Sequence, residues 1–152
     1  MAIEANLKLV LCFELGRRDW NTTISFVKKL GKAVQGRFQL TTDGFKPYVG
    51  AIEDEFGADV DFSQLVKIYT SDETSRERYS PGEVAEAISV EISGDPDPAY
   101  ISTSYVERQN LTMRMAIRRL TRLTNGFSKK WENLKAALAL HFAYYNFCRM
   151  HR

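Results

Sequence analysis

The sequence predicts a mixed α/β domain with a small sheet and helices on its faces. Short segments rich in β-forming residues alternate with segments of helical periodicity in the order β-β-α-β-α-β, and two long helices follow in the last third. The chain has 152 residues, of which 44% are hydrophobic, enough for one domain with a sizeable core. We therefore expect a single domain over residues 1–152, with residues 70–98 as a loop-rich insertion.

The first predicted elements are two strands and a helix. Met1 to Glu4 has the pattern of a strand end, and Lys8–Leu15 is rich in β-formers. Asn21 or Thr22 is expected to cap the helix that follows. The apolar face of that helix recurs at helical spacing and consists of Ile24, Val27, Leu30 and Val34.

The sharpest local signal in the first half is the junction at Asp43-Gly44. An alternating strand, Arg37–Thr42, runs into this dipeptide, and Pro47 then occupies the expected first position of a helix. Gly57 supplies the stop signal of that helix. The apolar face between these signals is formed by Tyr48, Ile52 and Phe56.

The segment that follows is predicted to hold a buried strand and then mostly loops. Leu65–Tyr69 is the buried strand, and Thr70–Arg78 is a charged loop rich in Ser and Thr. Ser80-Pro81-Gly82 is a candidate helix start, Ile88–Ile92 a candidate short strand, and Gly94–Pro98 a stiff connector.

The last third is predicted to be two helices. The first runs from Tyr105 to about Leu123, and Ser128 is expected to cap the second. One apolar stripe of the first helix comprises Val106, Met113, Ile117 and Leu120. The second helix has two apolar stripes, one of Trp131, Leu134, Leu138, Phe142 and Tyr145 and one of Ala136, Leu140, Ala143 and Phe147. We expect something to pack on each stripe.

Charge and composition exclude several protein classes. Met1–Tyr100 has 11 Lys and Arg against 17 Asp and Glu, whereas Ile101–Arg152 has 10 against 2, so the last third is expected to meet a polyanion. No apolar run is long enough to span a membrane and no secretory signal is seen, which predicts a cytoplasmic protein. Cys12 and Cys148 lie at opposite ends of the chain, an arrangement typical of free thiols. Phosphate-cradling glycine loops, nucleophile elbows and dinucleotide fingerprints are absent from the sequence.

Two acidic residues are candidates for chemistry, and each also has a structural interpretation. Asp43 follows a strand and faces a helix start, where active sites of α/β sheets collect, but Asp-Gly is also a common turn. Glu107 lies in the first turn of the basic helix, where Ser104-Tyr105-Val106-Glu107 also fits a capping box. The functional hypothesis is that Asp43 and Glu107 share a divalent metal ion.

A cluster of cations follows Glu107. It is expected either to bind a phosphate backbone or to be a solvated helix face, and its arginine content favours phosphate because the guanidinium fork binds it in a bidentate way. Arg114, Arg118 and Arg122 are predicted to lie on one face of a single helix. The candidate DNA-binding residues are Arg108, Arg114, Arg118, Arg119, Arg122, Lys129 and Lys130.

Taken in order, several segments resemble the catalytic domain of bacterial insertion-sequence transposases of the insertion-sequence-one type. The longest matching segment includes Ser102–Arg114 (STSYVERQNLTMR) and Leu123–Lys130 (LTNGFSKK). The other matching segments are Gln39–Tyr48, Leu65–Tyr69, Tyr79–Pro81, Gly94–Pro98, Tyr144–Phe147 and Arg149–His151. The resemblance covers essentially the whole chain.

This resemblance implies a ribonuclease-H-like fold and a DDE site, in which three carboxylates bind two Mg²⁺ ions, with Mn²⁺ as a substitute. Asp43 corresponds to the second acid of the family and Glu107 to the third. The implied activity is cleavage of transposon ends and strand transfer into target DNA, that is, DNA recombination. The implied partner is double-stranded DNA, bound by a homo-oligomer that is nucleoid-associated when bound, with no membrane involved.

The chain departs from the family pattern at its start. Ala2–Ala5 resembles the second strand of the family, so the first strand and its Asp are expected to be missing and Glu4 to be a poor replacement. We therefore expect an amino-terminally shortened transposase with impaired catalysis. The alternative is a non-catalytic DNA-binding or transposition-inhibiting fragment, and a product without activity is a third possibility.

Overall fold

The structure, a computed structural model, describes residues 1–69, 84–121 and 125–150. These residues form a mixed three-stranded sheet, a separate two-stranded sheet and four helices, so the α/β class is confirmed. The chain divides into two compact units. The first unit comprises Met1–Val34 and Ser104–Arg152, and the second unit comprises Gln35–Thr103. The organisation as one domain stays a prediction.

The first unit begins with a short antiparallel hairpin. Strand β1 (Ala2–Ile3) pairs with β2 (Val10–Cys12), which is shorter than the predicted strand Lys8–Leu15. The turn between the strands is closed by Glu4, whose carboxylate accepts hydrogen bonds from the backbone amides of Asn6 (2.9 Å) and Leu7. The Glu4 carboxylate therefore stabilises the turn through these hydrogen bonds.

Helix α1 (Trp20–Ala33) follows the hairpin, and its cap differs from the prediction. Asp19 is the N-cap, with its Oδ1 accepting from the Thr22 amide at 2.9 Å, so the prediction of Asn21 or Thr22 was wrong. The reason is that Asp19 is the last residue with extended backbone, whereas Asn21 and Thr22 already lie in the helix. The buried face includes the predicted Val27 and Leu30.

The predicted helix from Tyr105 to about Leu123 is shorter than expected. Helix α3 covers Ser104–Ala116, and Ile117 then takes an extended conformation (φ −110°, ψ 101°) before a short 3₁₀ turn. The Thr121 hydroxyl donates to the Arg114 carbonyl at 3.1 Å, satisfying one of the carbonyl groups that the end of a helix leaves free.

Helix α4 (Trp131–Cys148) supplies the centre of the core of the first unit. Lys130 is its N-cap, without a side-chain hydrogen bond, so the predicted Ser128 cap was wrong. Leu138, Phe142 and Tyr145 are buried as predicted, but Trp131 is 52% exposed because it lies in the first turn, beyond the buried cluster. The surrounding partly buried residues are Met1, Ile3, Phe13, Leu15, Met113, Ile117, Leu120 and Leu134.

Asn146 of α4 ties that helix to the hairpin. Its side-chain amide donates to the Val10 carbonyl (2.9 Å) and accepts from the Val10 amide (3.0 Å). This double hydrogen bond imitates the pairing of a neighbouring strand and satisfies the outer edge of β2 at that position.

The second unit is built on a parallel β-α-β element. Strand β3 (Phe38–Asp43), helix α2 (Pro47–Phe56) and strand β4 (Val60–Tyr69) follow in sequence, and β4 pairs antiparallel with β5 (Val84–Ser93). The start of α2 at Pro47 and its end before Gly57 are confirmed. Both β4 and β5 are longer than predicted, since the pairing between them continues beyond their most apolar residues. The core contains Ala51, Ile52, Val60 and Phe62.

The connector Gly94–Pro98 is fastened to this sheet. Arg37 and Asp61 form a bidentate ion pair (2.6 and 3.0 Å), and the same carboxylate accepts from the Asp95 amide at 2.8 Å. Gln39 exchanges two hydrogen bonds with the backbone of Asp97. The connector is therefore held by strand side chains as well as by its prolines.

Some predictions fall outside the described residues, namely Thr70–Arg78, Ser80–Gly82 and Arg122. The described part of the insertion 70–98 contains β5 and the connector. Within the described ranges, none of the helices combines the length and the apolar character that crossing a membrane requires.

Candidate functional site

Asp43 is exposed at the carboxyl end of β3, the position predicted for it. Its Oδ1 accepts a hydrogen bond of 3.3 Å from the amide of Phe45, the geometry of an Asx turn. It is not the cap of α2, because Lys46 occupies that position. The turn interpretation therefore describes the local geometry of Asp43, and a role as metal ligand is compatible with it.

The loop after Asp43 is held from β4 by Gln64, a residue that sequence reasoning missed. The side chain is 7% exposed, and its Nε2 lies 3.1 Å from the Asp43 carbonyl, 3.3 Å from the Phe45 carbonyl and 3.4 Å from the Thr42 hydroxyl. A buried amide with several acceptors fixes the backbone on both sides of Gly44. The signal in the sequence was a glutamine directly before an apolar strand, Leu65–Tyr69.

Gly44 allows this loop to lie close to the sheet. A Cβ atom at this position would be 3.0 Å from Cγ2 of Val66, which is closer than carbon atoms normally approach. A side chain at this position would therefore require Val66 of β4 to shift by a few tenths of an ångström. Asp43 is presented by a backbone that is restrained on two sides.

Glu107 is exposed in the first turn of α3, in the first unit, whereas Asp43 belongs to the second unit. A carboxylate in this turn is favoured by the helix dipole. Across residues 1–69, 84–121 and 125–150, no three His, Cys, Asp or Glu side chains are grouped so that they could hold a metal ion. Carboxylate oxygens suit Mg²⁺, but these residues do not form a complete site and define no metal-dependent step.

The predicted arginine stripe is broken. Arg108 and Arg114 lie exposed on α3, but Arg118 falls in the 3₁₀ turn after the helix has ended. Arg114 and Arg118 are therefore not related by helical spacing, and the prediction that they share one helix face was wrong. Lys129 and Lys130 are exposed just before α4.

Arg119 has a structural task within the first unit. Its Nη1 donates to the Ser128 hydroxyl at 3.3 Å and to the Asn133 carbonyl at 3.2 Å. These contacts link the 3₁₀ turn to the start of α4. Arg119 therefore makes hydrogen bonds within the protein, and fewer of its N–H groups are available to bind a phosphate.

The two structural units differ more in net charge than the segments Met1–Tyr100 and Ile101–Arg152 do. The first unit has 16 Lys and Arg against 5 Asp and Glu, a net charge of +11. The second unit has 5 against 14, a net charge of −9. Sequence reasoning missed the contribution of Met1–Val34, where the exposed cations are Arg17, Arg18, Lys28 and Lys32. The signal was an excess of 6 basic over 3 acidic residues in that segment.

His141 lies within the aromatic surroundings of α4 rather than near a carboxylate cluster. Its ring stacks on Tyr145 and meets Phe142 edge on. Burial, together with the nearby charge of Arg149, lowers the pKa of His141, and its Nε2 has no hydrogen-bond partner among the described residues. His141 thus packs beside the buried core residues Phe142 and Tyr145.

Comparison of the chain with family models, with curated proteins and with solved structures finds no match. The function is therefore argued from the geometry of the two units and from the sequence resemblance.

Proposed function

We propose that this chain is the catalytic region of a DNA transposase with a ribonuclease-H-like fold, in which Asp43 and Glu107 supply two of three carboxylates. The substrate class is double-stranded DNA, at transposon ends and at the target. Catalysis by these residues alone is impaired, because two carboxylates provide fewer ligands for divalent metal ions than three.

The observation that carries this proposal is the position of Asp43. It is an exposed carboxylate at the carboxyl end of a strand in a parallel β-α-β element, held there by Gln64 and the close packing of Gly44. Polar groups at the carboxyl ends of parallel strands form the active sites of open α/β sheets. The position thus agrees with the role that the resemblance gives to the Asp of Thr-Asp-Gly.

The pattern of strands also supports the ribonuclease-H-like proposal. The described strands form two separate sheets, an antiparallel hairpin followed by a helix and a parallel pair connected by a helix. In the implied fold, a central strand carrying the first acid joins two such parts. The two described sheets are compatible with these two parts of the implied fold.

Thermal unfolding in millimolar Mn²⁺ tests the metal-binding role. We expect Mn²⁺ to raise the melting temperature of the wild type by stabilising the folded state, and Asp43→Asn or Glu107→Gln to abolish that increase. Asp54→Asn is the matched control, because it removes an exposed carboxylate from α2 in the same unit as Asp43. An equal increase in all variants would contradict the proposed site.

A strand-transfer assay tests the impaired activity. We expect weak or no product in Mg²⁺ from this chain alone. Efficient strand transfer that is lost in Glu107→Gln would show that two carboxylates suffice, and it would refute the impairment while supporting the transposase assignment.

The second candidate function is a non-catalytic DNA-binding or transposition-inhibiting fragment. It is favoured by the net charge of +11 on the first unit. If Arg108, Arg114 and Arg118 each neutralise one phosphate, log K for duplex DNA falls with log[salt] by about 0.9 per contact.

A triple glutamine variant of these three arginines measures that contribution. We expect the salt slope to fall by roughly 2.7 units, which is three contacts at about 0.9 each. Lys46→Gln, an exposed cation of the second unit, is the control and leaves the slope unchanged. DNA binding that does not respond to salt would contradict this candidate.

A further inference from the structure

A groove in the first unit lies between strand β2, helix α1 and helix α4. Its volume is about 410 Å³, and small-molecule sites in proteins occupy about 300–1,000 Å³. The groove is therefore large enough for a small organic molecule, and none of the candidate metal or DNA-binding residues lines it. Its apolar lining consists of Val10, Leu11, Phe13, Phe142, Ala143 and Phe147.

The apolar side of the groove is held in place by contacts among its own residues. Val10 and Phe142 are buried, and the ring of Phe142 lies 5.0 Å from that of Phe13 between centroids. The Asn146 amide, which also lines the groove, holds α4 against β2 through its two hydrogen bonds with Val10. The groove is thus formed before any ligand binds, as is usual for small-molecule sites.

Phe147 leaves apolar surface uncovered at the same place. With Ala143, it belongs to the second apolar stripe that the sequence predicts on α4, and it is 87% exposed. Covering such a ring with an apolar group removes it from water, which is favourable. A ligand in the groove would therefore gain apolar contact with Phe147 as well as with the buried residues.

The charged side chains that line the groove are cations. Among the described residues they are Lys29 and Lys32, three positions apart and thus on one face of α1. Lys29 forms an ion pair with Glu14, which does not line the groove. Lys32 is exposed and, in residues 1–69, 84–121 and 125–150, has no ion pair. The groove therefore offers an uncompensated positive charge beside an apolar surface.

We propose that this groove binds an organic anion with an apolar body, such as a medium-chain carboxylate, with its charge beside Lys32 and its body against Phe142 and Phe147. Charge complementarity argues for this occupant, because both lysines and the net charge of +11 on the first unit attract an anion and repel an amphiphilic cation. The proposal involves neither Asp43 nor Glu107 and does not depend on the assignment as a transposase.

Fluorescence of anilinonaphthalene sulfonate tests binding to the full chain, because this probe combines an aromatic body with one anionic group. We expect the probe to bind and decanoate to displace it. Decanol, which has the same chain length without charge, should displace the probe less well, and decylamine, a cation, least. Equal displacement by all three would indicate unspecific contact with apolar surface and would overturn the proposal, as would the absence of probe binding.

Alkylation of the two cysteines locates the bound ligand. Cys12 lines the groove and is half-buried, whereas Cys148 is exposed and lies outside the lining. Burial raises the pKa of the Cys12 thiol, so alkaline pH is needed for its reaction. Saturating decanoate should slow alkylation of Cys12 and leave that of Cys148 unchanged. An unchanged rate at Cys12 would place the ligand elsewhere and overturn the proposal.

Two substitutions of exposed residues, each with a matched control, test the charge and the shape of the groove. Lys32→Glu should weaken decanoate binding by at least about threefold, whereas Lys28→Glu makes the same change on α1 outside the lining and should have a smaller effect. Ala143→Trp fills the groove and should abolish binding, whereas Ala139→Trp, on α4 outside the lining, should not. Equal effects of the two lysine substitutions would mean that net charge alone attracts the ligand, which would overturn the proposal.

A short single-stranded oligonucleotide is the final competitor. We expect it to leave the alkylation rate of Cys12 unchanged, because a nucleic acid carries no flexible apolar chain to enter the groove. Protection of Cys12 by the oligonucleotide as strong as that by decanoate would assign the groove to nucleic acid and overturn the proposal.

Discussion

The two units of this protein differ in what holds them together and in what they can attract. The second unit has a net charge of −9, and its connections are fixed by side chains that reach from strand to loop, such as Arg37 to Asp61 and Gln64 to Asp43. The first unit has a net charge of +11 and is organised around the apolar helix α4. The candidate carboxylate Asp43 and the candidate phosphate-binding arginines therefore belong to different units.

This separation has an electrostatic consequence. A unit of net charge −9 repels anions and attracts cations, whereas a unit of net charge +11 attracts polyanions. Cations that neutralise part of this repulsion would let a phosphate approach a carboxylate of the acidic unit.

The largest expected effect comes from removing a core side chain of one unit. Phe62 is 1% exposed in the second unit, and Phe62→Ala should lower the free energy of unfolding by about 3–5 kcal/mol. Hydrogen exchange should accelerate first in β3 and β4. Tryptophan fluorescence reports on the first unit, because both Trp20 and Trp131 lie in it.

Leu138→Ala is the matched substitution in the first unit, where Leu138 is 5% exposed. It should lower the free energy of unfolding by about 2–5 kcal/mol. It should affect the tryptophan fluorescence more than hydrogen exchange in β3 and β4. Identical exchange patterns in the two variants would show that the units unfold as one, and would remove the distinction between them.

Replacing Gln64 sharpens the comparison within the second unit. Gln64→Leu leaves the carbonyls of Asp43 and Phe45 without this donor. It should lower the free energy of unfolding by about 1–3 kcal/mol. Exchange of the Phe45 amide should accelerate more than that of residues in α2. Gln35→Leu, an exposed position of the same unit, is the control. Equal effects of the two substitutions would contradict a role of Gln64 in holding the loop.

The features that sequence reasoning predicted correctly are those encoded by local chemistry. The helix start at Pro47 and the stop at Gly57 depend on the restricted backbone of proline and the left-handed conformation of glycine, which has φ 50° here. The position of Asp43 at a strand end follows from the same local signals. Such signals require no knowledge of distant residues.

The errors at Ile117 and Gln64 have tertiary causes, unlike the errors in the helix caps. Nothing in the sequence around Ile117 ends a helix, yet the chain turns there, and Ile117 and Leu120 still pack on the core cluster around Leu138. The contacts of Gln64 could not be predicted from its neighbours in sequence, because its acceptors lie 19–22 residues earlier, on another strand and its loop. The role of Glu107 beside Asp43 stays a prediction.

A smaller effect tests which residue caps α1 in the first unit. Asp19→Ala removes the hydrogen-bond acceptor of the Thr22 amide. It should lower the free energy of unfolding by about 1 kcal/mol. Asn21→Ala, at the cap position that the sequence predicted, should be nearly neutral. Tryptophan fluorescence is a suitable probe, because Trp20 is the first residue of the helix. A larger effect of Asn21→Ala would restore the original prediction.

The smallest expected effect is the acid sensitivity of the second unit. The hydrogen bonds from the Arg37 guanidinium and the Asp95 amide hold the pKa of Asp61 at about 2, below its ordinary value of 3.8. Because the folded state binds this proton less tightly than the unfolded state, the contribution of Asp61 is fully present above pH 3.8 and is lost as the pH falls towards 2.

Thermal melts followed by a β-sheet signal at pH 5 and pH 2.5 measure this loss. We expect Asp61→Asn to lower the melting temperature of the second unit at pH 5 and to differ less from the wild type at pH 2.5, where the wild-type contribution is already reduced. Asp54→Asn, on the exposed side of α2, should show no such convergence. A difference that is constant with pH would mean that the ion pair with Arg37 does not stabilise the connector.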